Sequence, residues 1–474
     1  MSKAMNREIY LLSSRQWSPE TIAVTFAKTS RSPQSFREIA AELTEEKSAE
    51  FHEKWVVGYG HASVAEHAVL HVAFENISRL ATEILEGNRL ASFTEKSTRY
   101  QQWPEGGYHL PEEIQEAGFE WLFRESCDRL FEAYRRSLEP ARRVVERGLP
   151  RLEGEAEARY EGRIRSRYVD ACRFLLPSAA LANVGMTANA RVLENAIRKM
   201  LSYPLIEVRE IGEALKAAAE KEVPTLLKYA EPAAYLSDTH HALAEAAESI
   251  PPSRSGEFVA LIAWDPAAEE RVLAASLYPH GSASFADVVG HVRSLSDADR
   301  RGLRDRLLGS LGQFDVPRRD LEHTTYTFEV TLDQGAYLEL KRHRIMTQTP
   351  QRLSADLGYA VPRLLVEAGF EEPYREAMEQ AAAAYRRLAE WNPTVAAYVV
   401  PNGFNRRVLM TLNLREAYHF CELRSTPNAH FSMRRVALRV AEAIQEVHPL
   451  LARSMRLPEG ADWRTIGADN FAQT

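Results

Sequence analysis

Three long segments of the chain carry apolar residues at the spacing of a helix face. They are residues 122–148, residues 191–222 and residues 433–455. Because apolar residues three and four positions apart share one side of an α-helix, each segment predicts an amphipathic helix. Gly148 predicts the end of the first helix, since glycine closes helices without strain.

Four shorter segments have the composition or the alternation of β-strands. Residues 21–29 and 258–265 are rich in apolar side chains, and residues 67–77 and 324–333 alternate between apolar and polar side chains. Such runs are typical of strands that bury one or both faces. Together with the long helices they predict an α+β fold that contains much helix.

The chain also repeats itself. The sequence GYHLPEEIQEAGFE at 107–120 matches GYAVPRLLVEAGFE at 358–371, and AYRR at 133–136 recurs at 384–387. Both matches lie 251 residues apart (358 minus 107 and 384 minus 133). A constant offset between ordered matches indicates two copies of one fold.

The repeat predicts the domain organisation. We expect a first copy over residues 1–235, a linker over 236–256, and a second copy over 257–474. The linker ends near SIPPSRSGE, which is rich in Pro, Ser and Gly. Upstream in each copy, Glu66-His67 corresponds to Glu322-His323.

Composition narrows the possible functions. Acidic residues outnumber basic ones by 66 to 59, so the chain lacks the basic surface of a nucleic-acid-binding protein. No run of about 18 apolar residues occurs, and the first residues lack the apolar core of a signal peptide, so we expect no membrane segment. Three cysteines without CxxC spacing predict neither disulfides nor a cysteine-ligated zinc and favour a reducing cytoplasm.

Two polar segments have side chains suited to anions. In SFTEKSTRY at 92–100, Ser97, Thr98 and Arg99 supply hydroxyls, backbone amides and a cation that suit a phosphate. The RHR triplet at 342–344 offers two guanidinium groups and a stacking imidazole to a cofactor with a pyrophosphate or an anionic ring. Each also has a structural interpretation, as a solvated loop and as a surface charge cluster.

Two further segments hold polar side chains close together. GHASVAEH at 60–67 has two histidines and a glutamate, but its spacing is not that of HExxH, so we expect no metal there. Instead we expect His67 to be buried and hydrogen-bonded beside Glu66. The other segment lies in the second copy and contains Asn413, Arg415, His419 and Arg424, at spacings that place several of them on one side of a helix.

These segments, in this order, resemble the motifs of the flavin-dependent thymidylate synthases, the ThyX family. The pieces are GHASVAEH, SFTEKSTRY, the RHR triplet and NLREAYHFCELR at 413–424. The resemblance covers nearly the whole chain, once per copy. It implies an enzyme that methylates dUMP to dTMP, with FAD as cofactor and with methylenetetrahydrofolate and NADPH as co-substrates.

The motifs are divided between the two copies. The first copy keeps the first two pieces and Arg173, which resembles the family's second phosphate arginine, but reads GNR where the triplet belongs. The second copy keeps the triplet and Arg424, and has Ala397 in place of Arg173. The first copy has Met200 in place of Arg424. Such complementary losses favour a fused pseudodimer that holds one complete type of site.

The resemblance assigns roles by position. It implies that the nucleotide is held by Glu95, Ser97, Thr98, Arg99, Arg173 and Glu339. It implies that FAD is held by Ser63, Glu66, Arg342, His343, Arg344, Asn413, Arg415 and His419. The catalytic residues are then Arg424, as the cation near the pyrimidine, and His61, which faces the flavin. In the first copy, the residues that correspond to Asn413, Arg415 and His419 are Asn189, Arg191 and Asn195. They form either a second flavin site or a packed helix surface.

Other interpretations stay open at this point. Glu339 stands where the family has a glutamine that touches the pyrimidine, which allows a flavoenzyme that acts on a different pyrimidine nucleotide or one-carbon unit. A non-catalytic flavin- or nucleotide-binding homologue is a further alternative. By analogy with the family's homotetramer, we expect a homodimer of the two-copy chain.

Overall fold

The computed structural model describes residues 10–29, 32–54, 62–97, 102–253 and 256–472. The chain separates into two compact units. The first unit comprises Met1–Lys96, Pro111–Glu113 and Leu181–Pro251, and the second comprises Ser97–Leu110, Ile114–Ala180 and Pro252–Thr474. Because residues 114–180 belong to the second unit, the units are not the two sequence copies, and the predicted copy boundaries stay a prediction.

The helices and strands of the first half are α1 (Pro19–Thr29), α2 (Phe36–Glu42), α3 (Glu45–Phe51), β1 (Val69–Ser78), α4 (Arg79–Glu86), β2 (Ser92–Glu95), α5 (Glu112–Glu116), α6 (Glu120–Gly148), α7 (Glu157–Cys172), β3 (Leu181–Asn189), α8 (Ala190–Leu201), α9 (Ile206–Ala219), α10 (Pro224–Leu227) and α11 (Ala234–Ala247). Helix α11 begins two residues before the predicted linker (236–256), lies otherwise within it and buries none of its residues.

Those of the second half are β4 (Val259–Trp264), α12 (Ala268–Leu277), α13 (Phe285–Ser294), α14 (Asp297–Leu308), β5 (Thr325–Asp333), α15 (Gln334–Leu340), β6 (Thr347–Pro350), α16 (Arg363–Glu367), α17 (Glu371–Ala389), α18 (Pro393–Ala396), β7 (Asn405–Asn413), α19 (Leu414–Arg424), α20 (Phe431–Val447), α21 (Pro449–Ala452) and α22 (Trp463–Asn470). The mixture of helices with antiparallel sheets confirms the α+β class.

The two halves have the same order of elements. In one antiparallel sheet β3 lies between β1 and β2, and in the other β7 lies between β5 and β6, with β4 added beside β5. The registers correspond too, because Ser92 lies opposite Thr187 and Thr347 lies opposite Thr411. The internal repeat read from the sequence is therefore also a repeat of strand order and register.

Most of the predicted elements are confirmed, with three corrections. Residues 21–29 are helix α1 and not a strand, because Ser18 caps the helix by accepting the Thr21 N–H (3.2 Å) and Pro19 occupies its first position. The segment 191–222 is two helices rather than one, and so is 433–455. Pro204 and Pro449 stand at the two breaks, where proline cannot continue the backbone ladder.

A short segment of the first half pairs with its own counterpart from the second half, inside the second unit. Residues 174–179 run antiparallel to 398–403, with Pro177 opposite Pro401. The bonds are reciprocal: Ser178 N–H to Val400 O and Asn402 N–H to Leu176 O (both 3.0 Å), and Ala179 N–H to Tyr398 O and Gly403 N–H to Phe174 O (both 2.8 Å). The two bonds of each pair are related by an offset of 224 residues (donors 402 minus 178, acceptors 400 minus 176), which is the signature of a local two-fold relation.

The second sheet positions two helices that carry candidate site residues. One face of the sheet packs in a core with α20 through Tyr326, Phe328, Val330, Met410, Val436 and Val440. Strand β5 passes directly into α15 and strand β7 directly into α19, at caps formed by Asp333 and Asn413. Because the strands are antiparallel, these helices begin at opposite ends of the sheet, and their last turns meet.

The cap Asp333 generates a prediction about pH. Its carboxylate accepts the Ala336 N–H (2.8 Å) and the Ser432 hydroxyl, and burial raises its pKa from 3.8 to about 6. Between these values the folded protein holds a proton that the unfolded chain has lost, so stability falls as pH rises. Asp333→Asn keeps the cap but does not titrate, so we expect it to remove up to about 3 kcal/mol of this decline between about pH 4 and 6.

Urea unfolding across that pH range measures the effect. Asp462→Asn is the matched control, because Asp462 caps α22 at the surface and the Thr465 N–H lowers its pKa. The stability that Asp462 contributes is lost as pH falls, so Asp462→Asn changes the slope of the unfolding free energy against pH in the opposite direction. An unchanged slope in Asp333→Asn would contradict the buried titration.

Candidate functional site

The second unit brings three of the predicted residues into contact around one carboxylate. Glu339 Oε1 lies 3.5 Å from Arg173 Nη2, and Glu339 Oε2 accepts from Arg424 Nη1 at 3.2 Å. Arg424 Nη2 also donates to the Glu339 carbonyl (3.3 Å). Arg173 comes from the first half of the chain and the other two come from the second, so this cluster joins the halves within one compact unit.

Local structure explains where each of the three lies. Arg173 follows α7 and begins a 3-10 turn, Arg173–Leu175, directly before the reciprocal pairing. Its carbonyl accepts from Asn402 Nδ2 (3.1 Å), which anchors the turn to the opposite segment. Glu339 is in the last turn of α15, and Arg424 is the last residue of α19.

The cluster is shielded from water. The side chains of Arg173 and Glu339 are 4% and 7% exposed, and that of Arg424 is 15% exposed. Asp170, also buried, has Oδ1 3.8 Å from Arg173 Nε and adds a second negative charge nearby. Ion pairs at this depth are screened little by solvent, so each charge depends strongly on its partners.

His343 extends this cluster towards the start of α19. Its Nε2 accepts from Arg424 Nε at 2.9 Å, and its Nδ1 lies 3.0 Å from Glu416 Oε1. The imidazole is buried, and its ring lies 5.0 Å from the ring of Phe420 in an edge-on arrangement. The imidazole that the sequence predicts as a stacking surface for a cofactor is therefore buried in this structure.

The two arginines of the triplet differ from the histidine between them. Arg342 is exposed and Arg344 is partly exposed, so the triplet alternates between solvent and interior. His419, on the same helix as Arg424, is exposed. These three side chains, unlike His343, lie where a ligand reaches them from solvent.

Asn413 and Arg415 have structural partners that recur in the first half of the chain. Asn413 caps α19 and Asn189 caps α8. Arg415 Nη1 pairs with Glu322 (2.9 Å), and Arg191 pairs with Glu66. Each copy thus ties its helix to the 3-10 turn before its first repeated strand. The FAD roles assigned to Glu66, Asn413 and Arg415 stay predictions beside these contacts.

The remaining predicted residues that the structure describes are Ser63, Glu95, Ser97 and His67. In the first unit, Ser63 is exposed, and Glu95 pairs with Arg79 (3.2 Å) with both side chains buried. Ser97 is partly exposed. His61, Thr98 and Arg99 lie outside the described residues. One expectation was wrong: His67 is exposed and packs against the Phe26 ring at 4.9 Å, because its short turn lies at the surface.

Sequence reasoning missed Glu416, Asp170 and Asn402, which hold the site residues in place. A signal existed for Glu416, because it lies eight positions before Arg424, on the same face of a helix. It also lies three positions after the cap Asn413. Asp170 has a comparable signal, three positions before Arg173. Asn402 has none, since its contact crosses from one half of the chain to the other.

The family described as thymidylate synthase complementing protein matches residues 11–225 and again residues 260–450. The chain belongs to this family. The two matches fit a tandem duplication, in agreement with the repeated strand order.

Relatives fall into two groups by length. A UPF0159 protein of Chlamydia muridarum is 34% identical over 86% of this chain and 80% of its own length. A UPF0159 protein of Thermoplasma acidophilum is 29% identical over 89% of this chain and 91% of its own. A flavin-dependent thymidylate synthase of Clostridium tetani is 29% identical over 45% of this chain and 83% of its own, so a single copy spans it.

A solved structure was also matched. It is the flavin-dependent thymidylate synthase ThyX of Helicobacter pylori in complex with FAD and dUMP, at 21% identity and a TM-score of 0.32, over 43% of this chain and 100% of that one. Among the described residues, no helix is long and apolar enough to cross a membrane, and no group of three or more His, Cys, Asp or Glu is arranged to hold a metal ion.

The Glu339 ion pairs predict a large effect on stability. Glu339→Ala leaves the buried guanidinium of Arg173 and the partly buried guanidinium of Arg424 without this carboxylate, and we expect it to lower the free energy of unfolding by about 3 kcal/mol. Glu390→Ala is the control, because it removes an exposed pair with Arg387, for which we expect less than about 1 kcal/mol. Urea unfolding compares the two variants. An equal loss of unfolding free energy in both would contradict a stabilising role for the Glu339 ion pairs.

Proposed function

We propose that this chain is an FAD-dependent enzyme that methylates dUMP to dTMP, with methylenetetrahydrofolate as carbon donor and NADPH as reductant. One observation carries the proposal: Arg173, from the first copy, meets Glu339 and Arg424, from the second, in one shielded cluster. These are the nucleotide and catalytic residues that the family resemblance names. Membership of the thymidylate synthase complementing family supports the same chemistry.

The cysteines bear on the choice of route. Carbon 5 of uracil must become nucleophilic, and a thiolate added at carbon 6 is one way to achieve this. Cys127, Cys172 and Cys421 are all buried, and burial raises the pKa of each thiol, to about 12 for Cys172. A thiolate route therefore has no suitable group, which favours polarisation of the base by a cation.

Arg424 is the cation for that task. Its guanidinium stabilises negative charge that develops on the pyrimidine oxygens as carbon 5 attacks, and its effect is strong because the cluster is poorly solvated. Arg173 binds the nucleotide phosphate. FAD, when bound, supplies the reducing equivalents that convert the transferred carbon to a methyl group.

The charges near the triplet fit FAD. Arg342 is exposed and Arg344 partly exposed, and guanidinium groups bind pyrophosphate oxygens in bidentate fashion. We assign the cofactor phosphates to these two arginines. Arg415 is already held by Glu322 and by the Pro317 carbonyl (2.7 Å), so its contribution to FAD is weaker.

We further propose that the two copies form a pseudodimer with one complete type of site. The reciprocal bonds across Pro177 and Pro401 support a two-fold relation, and Ala397 and Met200 stand at the positions that would complete the reciprocal site. Two such chains would form a homodimer, which light scattering measures as twice the chain mass.

A second candidate keeps the chemistry and changes the substrate. Glu339 offers only acceptors, whereas the family's glutamine offers a donor as well. A carboxylate there disfavours the carbonyl oxygens of uracil, and this observation favours a different pyrimidine nucleotide.

The proposal predicts a flavoprotein. The purified chain is expected to be yellow, to release FAD on denaturation and to restore growth of a thymidine auxotroph, whereas Arg424→Ala binds FAD but does not restore growth. A colourless protein that takes up no FAD would refute both candidates. Flavin-loaded protein that fails to complement would refute dUMP and leave the second candidate.

The split site predicts an asymmetry between equivalent positions. Arg344 and Arg89 each lie three residues before a matching strand, β6 and β2. We expect Arg344→Ala to weaken FAD binding about tenfold, the loss of one good charge-assisted contact, and Arg89→Ala to leave it unchanged. Fluorescence titration of FAD measures both, and equal losses would contradict a single type of site.

A further inference from the structure

One face of α19 holds His343 at three points. Glu416, Phe420 and Arg424 are four residues apart, which places them in a row along one side of the helix. Glu416 contacts Nδ1, Phe420 packs against the ring, and Arg424 contacts Nε2. The imidazole therefore lies between an anion at the start of the helix and a cation at its end.

The contacts allow a single protonation state. Arg424 Nε carries a hydrogen and can only donate, so His343 Nε2 must be a bare acceptor. The ring proton is then on Nδ1, where it is donated to the Glu416 carboxylate at 3.0 Å. Burial lowers the pKa of His343, which agrees with a neutral ring.

The turn that carries His343 is also fixed. Its N–H donates to Leu340 O (3.0 Å), and Gln348 Nε2 donates to the carbonyls of both residues (3.0 Å each). Glu416 is fixed by its own N–H, which donates to Asn413 Oδ1 (2.8 Å). Glu416, His343 and Arg424 form a series of contacts, and each of them is also held by a contact outside that series.

All three nitrogens of the Arg424 guanidinium donate hydrogen bonds to neighbouring groups. Nε is held by His343, Nη1 by the Glu339 carboxylate and Nη2 by the Glu339 carbonyl. A planar guanidinium with contacts on every nitrogen has one orientation, and its charge is presented in one direction. His343 supplies the part of this orientation that Glu339 cannot.

We propose that His343 is a positioning residue for Arg424, with Glu416 fixing its tautomer, and that it does not bind the cofactor. The inference rests on the proposed function for the reaction that Arg424 serves. The triplet then combines two roles: Arg342 and Arg344 face the ligand, and His343 faces inward and aims the catalytic cation.

Turnover and FAD affinity of four variants separate the two roles. His343→Ala is expected to lower kcat about a hundredfold, as a misaimed catalytic group does, and to keep FAD affinity within about twofold. His343→Gln places an amide oxygen near the position of Nε2 and should recover about tenfold of that loss. Glu416→Gln still accepts the Nδ1 proton and stays near wild type, whereas Glu416→Ala loses activity.

A double-mutant cycle tests whether His343 acts through Arg424. If it does, His343→Ala combined with Arg424→Lys is no slower than Arg424→Lys alone. A tenfold loss of FAD affinity in His343→Ala, or a fully additive double variant, would overturn the proposal. If His343→Ala does not fold, as judged by circular dichroism, His343→Gln takes its place in the cycle.

A measurement without turnover keeps this inference separate from the proposed function. In protein labelled with ¹⁵N-histidine, the His343 signal, assigned by its loss in His343→Gln, should show a protonated Nδ1 and a bare Nε2. Arg424→Ala should shift the Nε2 resonance. If wild-type protein neither binds FAD nor methylates dUMP, the proposed function fails, and this spectrum alone decides the inference. A proton on Nε2 would refute it.

Discussion

Arg173 reaches Glu339 because the segment that follows it is hydrogen-bonded to its own counterpart. Residues 174–179 and 398–403 share four reciprocal backbone bonds around Pro177 and Pro401. Backbone bonds of this kind fix position to within a fraction of a residue, so the turn at Arg173 has little freedom. The Arg173–Glu339 ion pair and the hydrogen bond from Asn402 to the Arg173 carbonyl both lie beside this pairing.

The pseudodimer that we propose would explain how a symmetric arrangement holds an asymmetric site. A local two-fold relation brings equivalent positions to equivalent places, so Ala397 takes the position that corresponds to Arg173. Once both copies are in one chain, each position can change alone, which identical subunits of a homo-oligomer cannot do. A site of this kind needs only one residue from each pair of equivalent positions. The residue at the other position can then change without loss of the site.

The two arginines of the cluster are stabilised by the groups that balance their charge. Arg173 and Arg424 share the Glu339 carboxylate, and Arg424 also uses a neutral imidazole as acceptor. A second cation in place of neutral His343 would repel Arg424, and burial makes that repulsion costly. Glu416 therefore acts at a distance, because it holds the ring proton on the side away from the arginine.

The sequence by itself determined most of the element types, the repeat, and the identity of Arg173, Glu339, His343 and Arg424 as candidate site residues. Amphipathic and alternating periods predicted α6, β1 and β5, and a run of apolar residues predicted β4, since these patterns come from local geometry. The strand predicted at 21–29 failed because a buried amphipathic helix and a short strand have similar composition, and the Ser18-Pro19 cap was the deciding signal. The pattern of losses also indicated which copy holds which motif.

Only the tertiary structure decided how those residues meet. Arg173 and Glu339 are 166 positions apart, and no local rule places one beside the other. The triplet reads as three basic residues in a row, yet its central side chain turns inward and is neutral, because the turn after α15 packs on one face of α19. Burial and the choice of partner are properties of the packed chain, and they decided which of the predicted residues are exposed to solvent and which contact one another.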